Sequence, residues 1–375
     1  MTSKISQNKL AVFISFSGEG GVERMVSALT NEFNEKGHKV DLLLIKARGG
    51  HLQAVSNSVN KIKLGSDHSW LTLWPLVKYL RKEKPAALLA VKHRAIMVAL
   101  IARRMAGVNT RIVGRLGTNV STALEGKSRF RKWLWHKSMQ SIYPMADKLI
   151  PVSEGVSDDI RSISGIDRNK LEVIRNPVVT NKTLELAGEP LEHPWFAANQ
   201  PPVILGAGRF TRQKDFPTLI KALALLRQQK ECRLVILGKG GDQQACRELA
   251  ESLGVEKDID FPGFDSNPFR YMRHAALFAL SSAWEGSPNV LCEALAVGTP
   301  VVSTNCPSGP FEILQNGKYG ILVPVGDAEA LAKAMEQTLA QPLDTESLRE
   351  AVAEYTVERS AKRYLQALNI EQAEL

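Results

Sequence analysis

The stretch EGSPNVLCEALAVGTP, Glu285–Pro300, decides the fold of the second half of the chain. Ser287 is a good N-cap residue, and Pro288 suits the first helical position, where its missing N–H costs nothing. The run NVLCEALAV is typical of a short buried helix, which Gly298 would end. An apolar segment precedes this helix and TPVVST follows it, so the stretch predicts the strand–helix–strand unit of a parallel α/β sheet.

Two carboxylates accompany the start of this helix. The free N–H groups of a helix start attract anions such as phosphate, so Glu285 beside them needs a different partner, such as sugar hydroxyls or a developing positive charge. Glu293 lies about 7 Å further along the axis, at 1.5 Å per residue, and could reach a neutral diol of the same ligand. A capped surface helix with two solvated acids is the alternative at this point.

Length and composition indicate a globular protein of two domains. The chain has 375 residues, of which 44% are hydrophobic and 23% charged. No apolar run reaches the roughly 18 residues needed to span a membrane, and the polar N-terminus MTSKISQNKL predicts no signal peptide. The four cysteines form no CxxC pair or Cys/His zinc pattern, which favours buried thiols in the reducing cytoplasm.

Positive charge is concentrated in one part of the chain. The net charge is +9, yet residues 61–150 alone contain 18 Lys and Arg against 4 Asp and Glu, a difference of 14. Such an excess predicts an anionic partner, for which a membrane surface, a polyanionic saccharide and nucleic acid all qualify.

Strands and helices alternate along both halves. The predicted strands of the first half are KLAVFISF, HKVDLLLI, AALLAV, RIVG and DKLIPVS, and those of the second are PPVILGAG, ECRLVILG, DIDFPGF, HAALFALSS, TPVVST and YGILVP. We expect an α/β protein with two Rossmann-like βαβ domains, residues 1–180 and 181–355, facing a cleft. Residues 178–200 are expected to form an irregular crossing between the domains. Residues 356–375 are expected to form a helix that packs back on the first domain.

A glycine-rich loop, SGEGG, follows the first predicted strand. Gly18, Gly20 and Gly21 would let the main chain approach a ligand closely, and the helix after them would favour an anion. The spacing does not match GxGxxG, because Glu23 stands where the third glycine would fall. A tight turn between strand and helix is the alternative.

Two cations follow the first strand of the second half. Arg209 and Lys214 stand just past the segment VILGAG, where a sheet edge would place them against a phosphate. A solvated basic loop is the alternative. A capped helix start with flanking acids in the same domain strengthens the phosphate interpretation, since parallel strands bring both elements to one edge.

Taken together, GRFTRQK, DFPGF, SSAWEGSPNVLCEALAVGTPVVSTNCPSGPFEIL and YGILVPVGD resemble the C-terminal domain of the retaining glycosyltransferases of family 4, which have the GT-B fold. The resemblance covers most of residues 202–330, and SGEGGVERMV and VSEGVSDDI extend it more loosely into the first half. It implies a retaining hexosyltransferase with a nucleotide-diphosphate donor, UDP being expected. The implied acceptor is a saccharide or a lipid-linked molecule of bacterial surface polysaccharide or lipopolysaccharide synthesis.

The resemblance also implies residue roles. Arg209 and Lys214 would hold the donor diphosphate and take part in catalysis with Glu285, which would lie near the anomeric carbon. Glu293 would bind the ribose diol. The other implied donor contacts are the main chain of Gly263 and Phe264 at the base, the N–H groups of Asn289 and Val290, and Gly20 and Gly21 on the diphosphate when the cleft closes.

The chain departs from the family pattern at two places. Asp215 stands where the family usually has glycine after the lysine. Many members also have a histidine after the strand that corresponds to RIVG, whereas this chain has RLGTN. His93, Arg115 and Asn119 are therefore our candidates for contacting the acceptor, with a structural role as the alternative for His93.

The implied chemistry predicts no metal and no cofactor beyond the donor. Arg209, Lys214 and the helix N–H groups would stabilise the negative charge that grows on the leaving diphosphate. In this mechanism a DxD-type metal site is not required, and we expect none.

A basic aromatic segment, Lys127–Tyr143, raises the question of a membrane. In a helix, Phe130, Trp133, Leu134 and Trp135 would cluster among Arg and Lys side chains, a pattern typical of interfacial membrane helices. A helix packed on its own domain is the alternative. With the charge excess, the pattern favours peripheral binding at the inner face of the cytoplasmic membrane.

Two rival functions remain at this point. One is another GT-B enzyme, such as a sugar-nucleotide epimerase or a sugar-phosphate synthase. The other is a non-enzymatic basic module, but the sequence lacks the interleaved aromatic platform of a nucleic-acid binder, so we expect no nucleic-acid partner.

Overall fold

The computed structural model describes residues 9–17 and 20–370 and divides into two compact units. The second unit comprises Val178–Thr356, and the first comprises the residues before it together with those from Val357 onward. These bounds differ by three residues and by one residue from the predicted domain limits at 181 and 355.

A six-stranded parallel sheet organises the first unit. Its strands are β1 Lys9–Ser17, β2 Lys39–Arg48, β3 Asn60–Lys63, β4 Ala87–Val91, β5 Arg111–Leu116 and β6 Lys148–Pro151, in the order β3-β2-β1-β4-β5-β6. The helices of this part of the chain are α1 Gly21–Glu35, α2 Gly50–Gln53, α3 Leu73–Glu83, α4 His93–Ala106, α5 Val120–Ala123, α6 Arg129–Ile142 and α7 Glu154–Ser164.

The second unit repeats this architecture. Its strands are β7 Val203–Ala207, β8 Arg233–Leu237, β9 Ile259–Gly263, β10 Leu277–Leu280, β11 Val301–Thr304 and β12 Ile321–Val323, in the order β12-β11-β10-β7-β8-β9. Its helices are α8 Asn181–Ala187, α9 Phe216–Arg227, α10 Gln243–Ser252, α11 Pro268–His274, α12 Asn289–Val297, α13 Pro310–Ile313, α14 Ala328–Ala340 and α15 Thr345–Glu350. The chain then returns to the first unit through α16, Val357–Leu368.

Two apolar cores cover the faces of the first sheet. Helices α3, α4, α6 and α7 pack on one face, and α1 and α16 pack on the other. Helix α1 shows why: Met25, Leu29 and Phe33, four residues apart, form one buried stripe. Buried on both faces, strands such as ALLAV are apolar throughout, which is why the sequence predicts them well.

The strand order places a crevice at one point in each sheet. The chain moves outward from β1 in one direction and later from β4 in the other, so the topological switch point lies between β1 and β4. In the second sheet it lies between β7 and β10. Ligands of open α/β sheets bind at the carboxyl ends of the strands beside such a point.

The structure corrects three local expectations. Strand β3 was not predicted, because NKIK is short, polar and mostly exposed at the sheet edge. Residues 178–200 are not wholly irregular, since Thr180 and Thr183 form a capping box at the start of α8. Ser287 is not the cap of α12, which begins at Asn289, so the helix starts one residue later than Ser287 capping requires.

No helix among the described residues combines the length and the apolar composition needed to cross a membrane.

Candidate active site

An ion pair lies at the switch point of the second sheet. Lys214 follows β7 and Glu285 follows β10, and Lys214 Nζ lies 2.6 Å from Glu285 Oε1. The carboxylate is only 8% exposed and the lysine side chain 16% exposed, so solvent screens this pair weakly. Lys214 and Glu285, both predicted as site residues from the sequence, are 71 positions apart in the chain and in contact in the fold.

Neighbouring side chains fix the orientation of the Glu285 carboxylate. Ser282 donates a hydrogen bond of 2.8 Å to Oε1, the oxygen that also contacts Lys214. Gln213 donates from Nε2 to Oε2 at 3.4 Å and to the carbonyl of Trp284 at 3.0 Å. The carboxylate is thus held by three donors, two of which, Ser282 and Gln213, sequence reasoning missed.

The loop that carries Lys214 is tied to the loop that carries Glu285. Ser281 Oγ donates to the carbonyl of Lys214 at 2.9 Å, and the amide of Ala283 donates to the carbonyl of Gln213 at 2.8 Å. The stem of Lys214 passes directly over Gly208, where an added Cβ would lie 2.9 Å from Lys214 Cε. A side chain at position 208 would displace the lysine stem, so glycine after β7 leaves the lysine its path to the carboxylate.

The departure at Asp215 has a conformational explanation. Its φ of 46° and ψ of 49° lie in the left-handed region, which glycine adopts most easily and which aspartate tolerates better than most residues. The Asp215 carboxylate accepts a hydrogen bond of 2.7 Å from Thr218 Oγ1 in the first turn of α9. The turn that delivers Lys214 is therefore preserved without glycine.

The start of α12 lies under a second tight loop. The main-chain N–H of Glu285 donates a hydrogen bond of 3.4 Å to the carbonyl oxygen of Pro307. Gly309, with φ of 95°, leaves no room for a side chain, because an added Cβ would lie 2.6 Å from Pro288 Cδ. Asn289 and Val290 form the first turn of α12, and Glu293 on the same helix is 1% exposed. Both acids of the opening stretch are buried, so two solvated acids on a surface helix are ruled out.

Two cations lie past strand ends of the second sheet, and one of them lies beside the predicted base site. Arg209 and Lys239 are exposed, each just past its strand end, at β7 and β8 respectively. Gly263 has φ of 93°, and an added Cβ there would lie 3.8 Å from Lys239 Cε. Phe264 is partly exposed beside it. Sequence reasoning missed Lys239, although LGKGGD after a strand is the same kind of signal as GRFTRQK.

The glycine-rich loop of the first unit is described in part. Gly20 is the N-cap residue of α1 and Gly21 its first residue, so both lie at the carboxyl end of β1. Gly18 lies outside the described residues. Lys92 follows β4, and its Nζ lies 3.0 Å from Oε1 of Glu23 in the first turn of α1. The sequence did not predict this pair.

His93 is enclosed by aromatic side chains. Its Nδ1 lies 2.7 Å from the Tyr143 hydroxyl oxygen, and its ring stacks on Trp135 at 4.3 Å between centroids. Burial, and secondarily the charge of Arg94, lowers the pKa of His93 to about 4. The imidazole is therefore neutral at physiological pH. The expected place of Trp135 on an exposed membrane surface is wrong, because its ring packs against His93.

Arg115 and Asn119 have structural partners that do not support their expected contact with the acceptor. Arg115 is 2% exposed, donates to Asn176 Oδ1 at 2.7 Å, and has its pKa lowered by burial. Asn119 is buried and caps α5 by accepting from the amide of Thr122 at 3.1 Å. Both side chains stabilise the loop after β5, where the sequence pattern could not distinguish a cap from a ligand contact.

The four cysteines form no disulfide bond. All four cysteines are free and buried, as expected. Cys306 lies close to the ion pair, and burial, then the Glu285 charge, raises the pKa of its thiol to about 12. Within residues 9–17 and 20–370, no three His, Cys, Asp or Glu side chains come together to hold a metal ion.

Comparison with known proteins agrees with this arrangement. Residues 19–182 match the family described as Glycosyltransferase Family 4, and residues 191–359 match the family described as Glycosyl transferases group 1. The two matches together span nearly the whole chain, and the second contains Lys214, Glu285 and Glu293. The chain belongs to the family 4 glycosyltransferases. The resemblance identified from the sequence is thereby confirmed.

Curated relatives of this glycosyltransferase match it along most of its length. One is the N-acetylgalactosamine-N,N'-diacetylbacillosaminyl-diphospho-undecaprenol 4-alpha-N-acetylgalactosaminyltransferase of Campylobacter jejuni, 29% identical, with 92% of each chain covered. Another is a lipopolysaccharide core biosynthesis glycosyltransferase of Rhizobium meliloti, 27% identical, with 90% of each chain covered. Among solved structures, Anabaena Alr3699/HepE in complex with UDP and glucose matches with a TM-score of 0.75 and 17% identity, covering 96% of this chain and 99% of that one. The GT-B fold is confirmed.

The pKa of His93 predicts how the stability of this glycosyltransferase depends on pH. A histidine of the unfolded chain takes up a proton near pH 6.5, whereas folded His93 does so only near pH 4. Stability should therefore fall as pH drops from about 6.5 to about 4, with His93 contributing at most on the order of 3 kcal/mol. In His93→Gln, which can still bond to Tyr143, denaturant unfolding should show a shallower decline over this range. An identical decline in the variant and the wild type would contradict the assignment.

Proposed function

We propose that this glycosyltransferase moves a hexose, with retention, from a UDP-linked donor to a saccharide or lipid-linked acceptor in bacterial surface-polysaccharide or lipopolysaccharide synthesis. The names of the two relatives support the acceptor class, and the UDP and glucose in the Anabaena structure support the donor class. The observation that carries the proposal is the buried Lys214–Glu285 pair at the switch point of the second sheet.

The pair fits the charge that develops when the donor bond breaks. Cleavage between the anomeric carbon and its phosphate oxygen leaves positive charge on the sugar and negative charge on the diphosphate. An ammonium and a carboxylate 2.6 Å apart can each face one of these charges. Because Ser282 and Gln213 already hold the carboxylate, little reorganisation is needed during the reaction.

The remaining donor contacts follow from position. We propose that exposed Arg209 joins Lys214 on the diphosphate, that the amides of Asn289 and Val290 contact the donor, and that Glu293 accepts from the ribose diol. Gly263 and Phe264, with Lys239 beside them, would contact the base. In this proposal the cations and helix amides neutralise the leaving group, and no metal ion is needed for that step.

The first unit is proposed to bind an anionic membrane surface. Phe130, Trp133 and Leu134 at the start of α6 are exposed. A second segment, missed from the sequence, adds exposed Trp70 and Leu71 just before α3 and Trp74 in its first turn.

These two segments share one side of the first sheet. Helices α3 and α6 pack on the same face of the sheet, and each leads into a parallel strand, so each begins near the carboxyl edge. Aromatic rings at one edge of a domain rich in Lys and Arg suit an anionic interface, where each basic residue contributes about 1 kcal/mol. We therefore propose peripheral attachment at the inner face of the cytoplasmic membrane.

A donor panel tests the proposed reaction directly. The protein would be incubated with UDP-, GDP-, ADP- and dTDP-sugars without acceptor, and slow hydrolysis of a UDP-sugar is expected. NMR of the first-formed sugar would show its anomeric configuration, which retention requires to match the donor. Hydrolysis of a GDP-, ADP- or dTDP-sugar without hydrolysis of any UDP-sugar would refute the UDP assignment. Epimerised nucleotide-sugar as the product would instead indicate an epimerase.

Loss of Lys214 should impair the leaving-group step. Lys214→Ala is expected to lower donor turnover by roughly 10²–10³, the scale for losing one oxyanion donor. Since Lys214 is the partner of the buried Glu285, the variant should also melt at a lower temperature, which differs from the unchanged folding that a free loop lysine predicts. Lys221→Ala, on the exposed side of α9, is the control for both measurements. Normal turnover in folded Lys214→Ala would exclude the proposed role.

Substitutions of the two acids should have different effects on UDP affinity, which calorimetric titration measures. Glu293→Ala is expected to weaken UDP binding by about 1–3 kcal/mol, because a charged hydrogen bond to the ribose is lost. Glu285→Ala should leave UDP affinity equal or higher, since Lys214 is released toward the diphosphate, while turnover of the donor sugar falls sharply. Equal losses of UDP affinity in the two variants would refute this division of roles.

Membrane binding should depend on salt and on the exposed rings. The protein is expected to sediment with anionic vesicles at low salt, to be released at high salt, and to bind neutral vesicles much less. Trp70→Ser combined with Trp133→Ser should reduce sedimentation without lowering the melting temperature. The control is Leu253→Ser, an exposed apolar residue of the second unit. Failure of the wild type to sediment with anionic vesicles would contradict the proposed membrane binding.

A further inference from the structure

Each sheet has a Lys–Glu pair that bridges its topological switch point. In the second sheet, Lys214 follows β7 and Glu285 follows β10. In the first sheet, Glu23 lies in the first turn after β1 and Lys92 follows β4, with 3.0 Å between Nζ and Oε1. The strand orders match β1 to β7 and β4 to β10, so the two pairs occupy corresponding places with their charges exchanged.

The backbone at Lys92 is strained where this pair forms. Lys92 has φ of 77° and ψ of 149°, a region that only glycine adopts without a steric cost. The surrounding structure holds it there: its amide donates to the carbonyl of Arg115 at 3.2 Å, and its carbonyl accepts from Ile96 at 3.1 Å. A lysine at this position bears a steric cost that glycine would not bear.

The two charges of this pair differ in their access to solvent. The Glu23 side chain is 5% exposed, whereas that of Lys92 is 42% exposed. The Glu23 carboxylate lies so close to the main chain of Gly20 that an added Cβ there would collide with it. A side chain at position 20 would displace this carboxylate, so glycine there is compatible with the pair.

The chemistry of the pair suits sugar hydroxyls. The ammonium only donates hydrogen bonds and the carboxylate only accepts them, whereas a hydroxyl does both. A sugar hydroxyl can therefore donate to the Glu23 carboxylate, and a hydroxyl oxygen can accept from the Lys92 ammonium. The crevice at a switch point is also where an open sheet binds its ligand.

We propose that Glu23 and Lys92 bind the terminal sugar of the acceptor, with Glu23 accepting from one hydroxyl and Lys92 donating to a hydroxyl oxygen. This inference rests on the proposed function, since it assigns a saccharide end to the acceptor of that reaction. The pair is a binding and positioning element of the first unit, separate from the donor contacts of the second. Strain at Lys92 is retained because it aims the ammonium at Glu23.

Three substitutions distinguish this role from a structural one. Glu23→Gln keeps the shape and removes the charge, and Lys92→Met keeps the stem and removes the ammonium. Lys92→Gly also removes the ammonium but relieves the positive φ, so it should melt no lower than Lys92→Met. The matched control is Glu83→Gln, which breaks the Lys9–Glu83 pair of 2.6 Å at the opposite, amino end of β1.

The binding experiment uses simple glycosides as probes. Octyl glycosides of glucose, galactose and N-acetylgalactosamine would be titrated by ligand-observed NMR against wild type and variants, with UDP binding measured by calorimetry in each. We expect wild type to bind at least one glycoside. Glu23→Gln, Lys92→Met and Lys92→Gly should each weaken that binding about tenfold or more and leave UDP affinity unchanged. Glu83→Gln should change neither.

Several outcomes would overturn the inference. A wild type that binds none of the glycosides, or variants that bind them as tightly as wild type, would do so. Equal losses of glycoside and UDP affinity would show a general structural defect instead of a sugar site. Failure of the proposed function would appear separately, as a wild type that neither binds UDP nor hydrolyses any UDP-sugar.

Discussion

The Lys214–Glu285 ion pair is the interaction on which the arrangement of the second unit's site depends. A lysine and a glutamate that are nearly buried must be paired, because an isolated charge in such a place is strongly disfavoured. To pair them, the loops after β7 and β10 must lie side by side. Ser281, Ala283 and Gln213 supply the hydrogen bonds that hold the loops together. The carboxylate and ammonium are thereby positioned before any ligand arrives.

Backbone conformations and close approaches that would cost stability at most positions are found beside this pair. Gly208 makes room for the lysine stem, Asp215 adopts a left-handed conformation, and Gly309 brings a third loop against Pro288. In the first unit, Lys92 is strained in a corresponding place. Such features persist only where rigid surroundings impose them, and here the parallel strands, buried on both faces, are those surroundings. The buried sheets stabilise the fold, and the residues proposed to bind the donor and the acceptor lie in the loops at the carboxyl ends of the strands.

The first unit combines features that a lipid-linked saccharide would require. Exposed aromatic rings lie beside the starts of α3 and α6, positive charge is concentrated in the same part of the chain, and a Lys–Glu pair lies at the switch point of its sheet. Rings and basic side chains suit a membrane surface, whereas a charge-balanced pair suits sugar hydroxyls. These features together support an acceptor with a lipid end and a sugar end.

The sequence by itself determined the two α/β units and predicted the donor residues. A strand that is buried on both faces is apolar throughout, and a helix ends at residue types that the sequence shows directly. Continuous apolar strands and the stretch Glu285–Pro300 are therefore strong local signals. The family resemblance added the roles proposed for Lys214, Glu285 and Glu293. Only the tertiary structure decided what the remaining side chains contact. Arg115 and Asn119 proved to be buried supports, Trp135 a partner of His93, and Glu23 and Lys92 an ion pair. These contacts join residues from different strands and helices, and their partners depend on strand order, which no local pattern encodes.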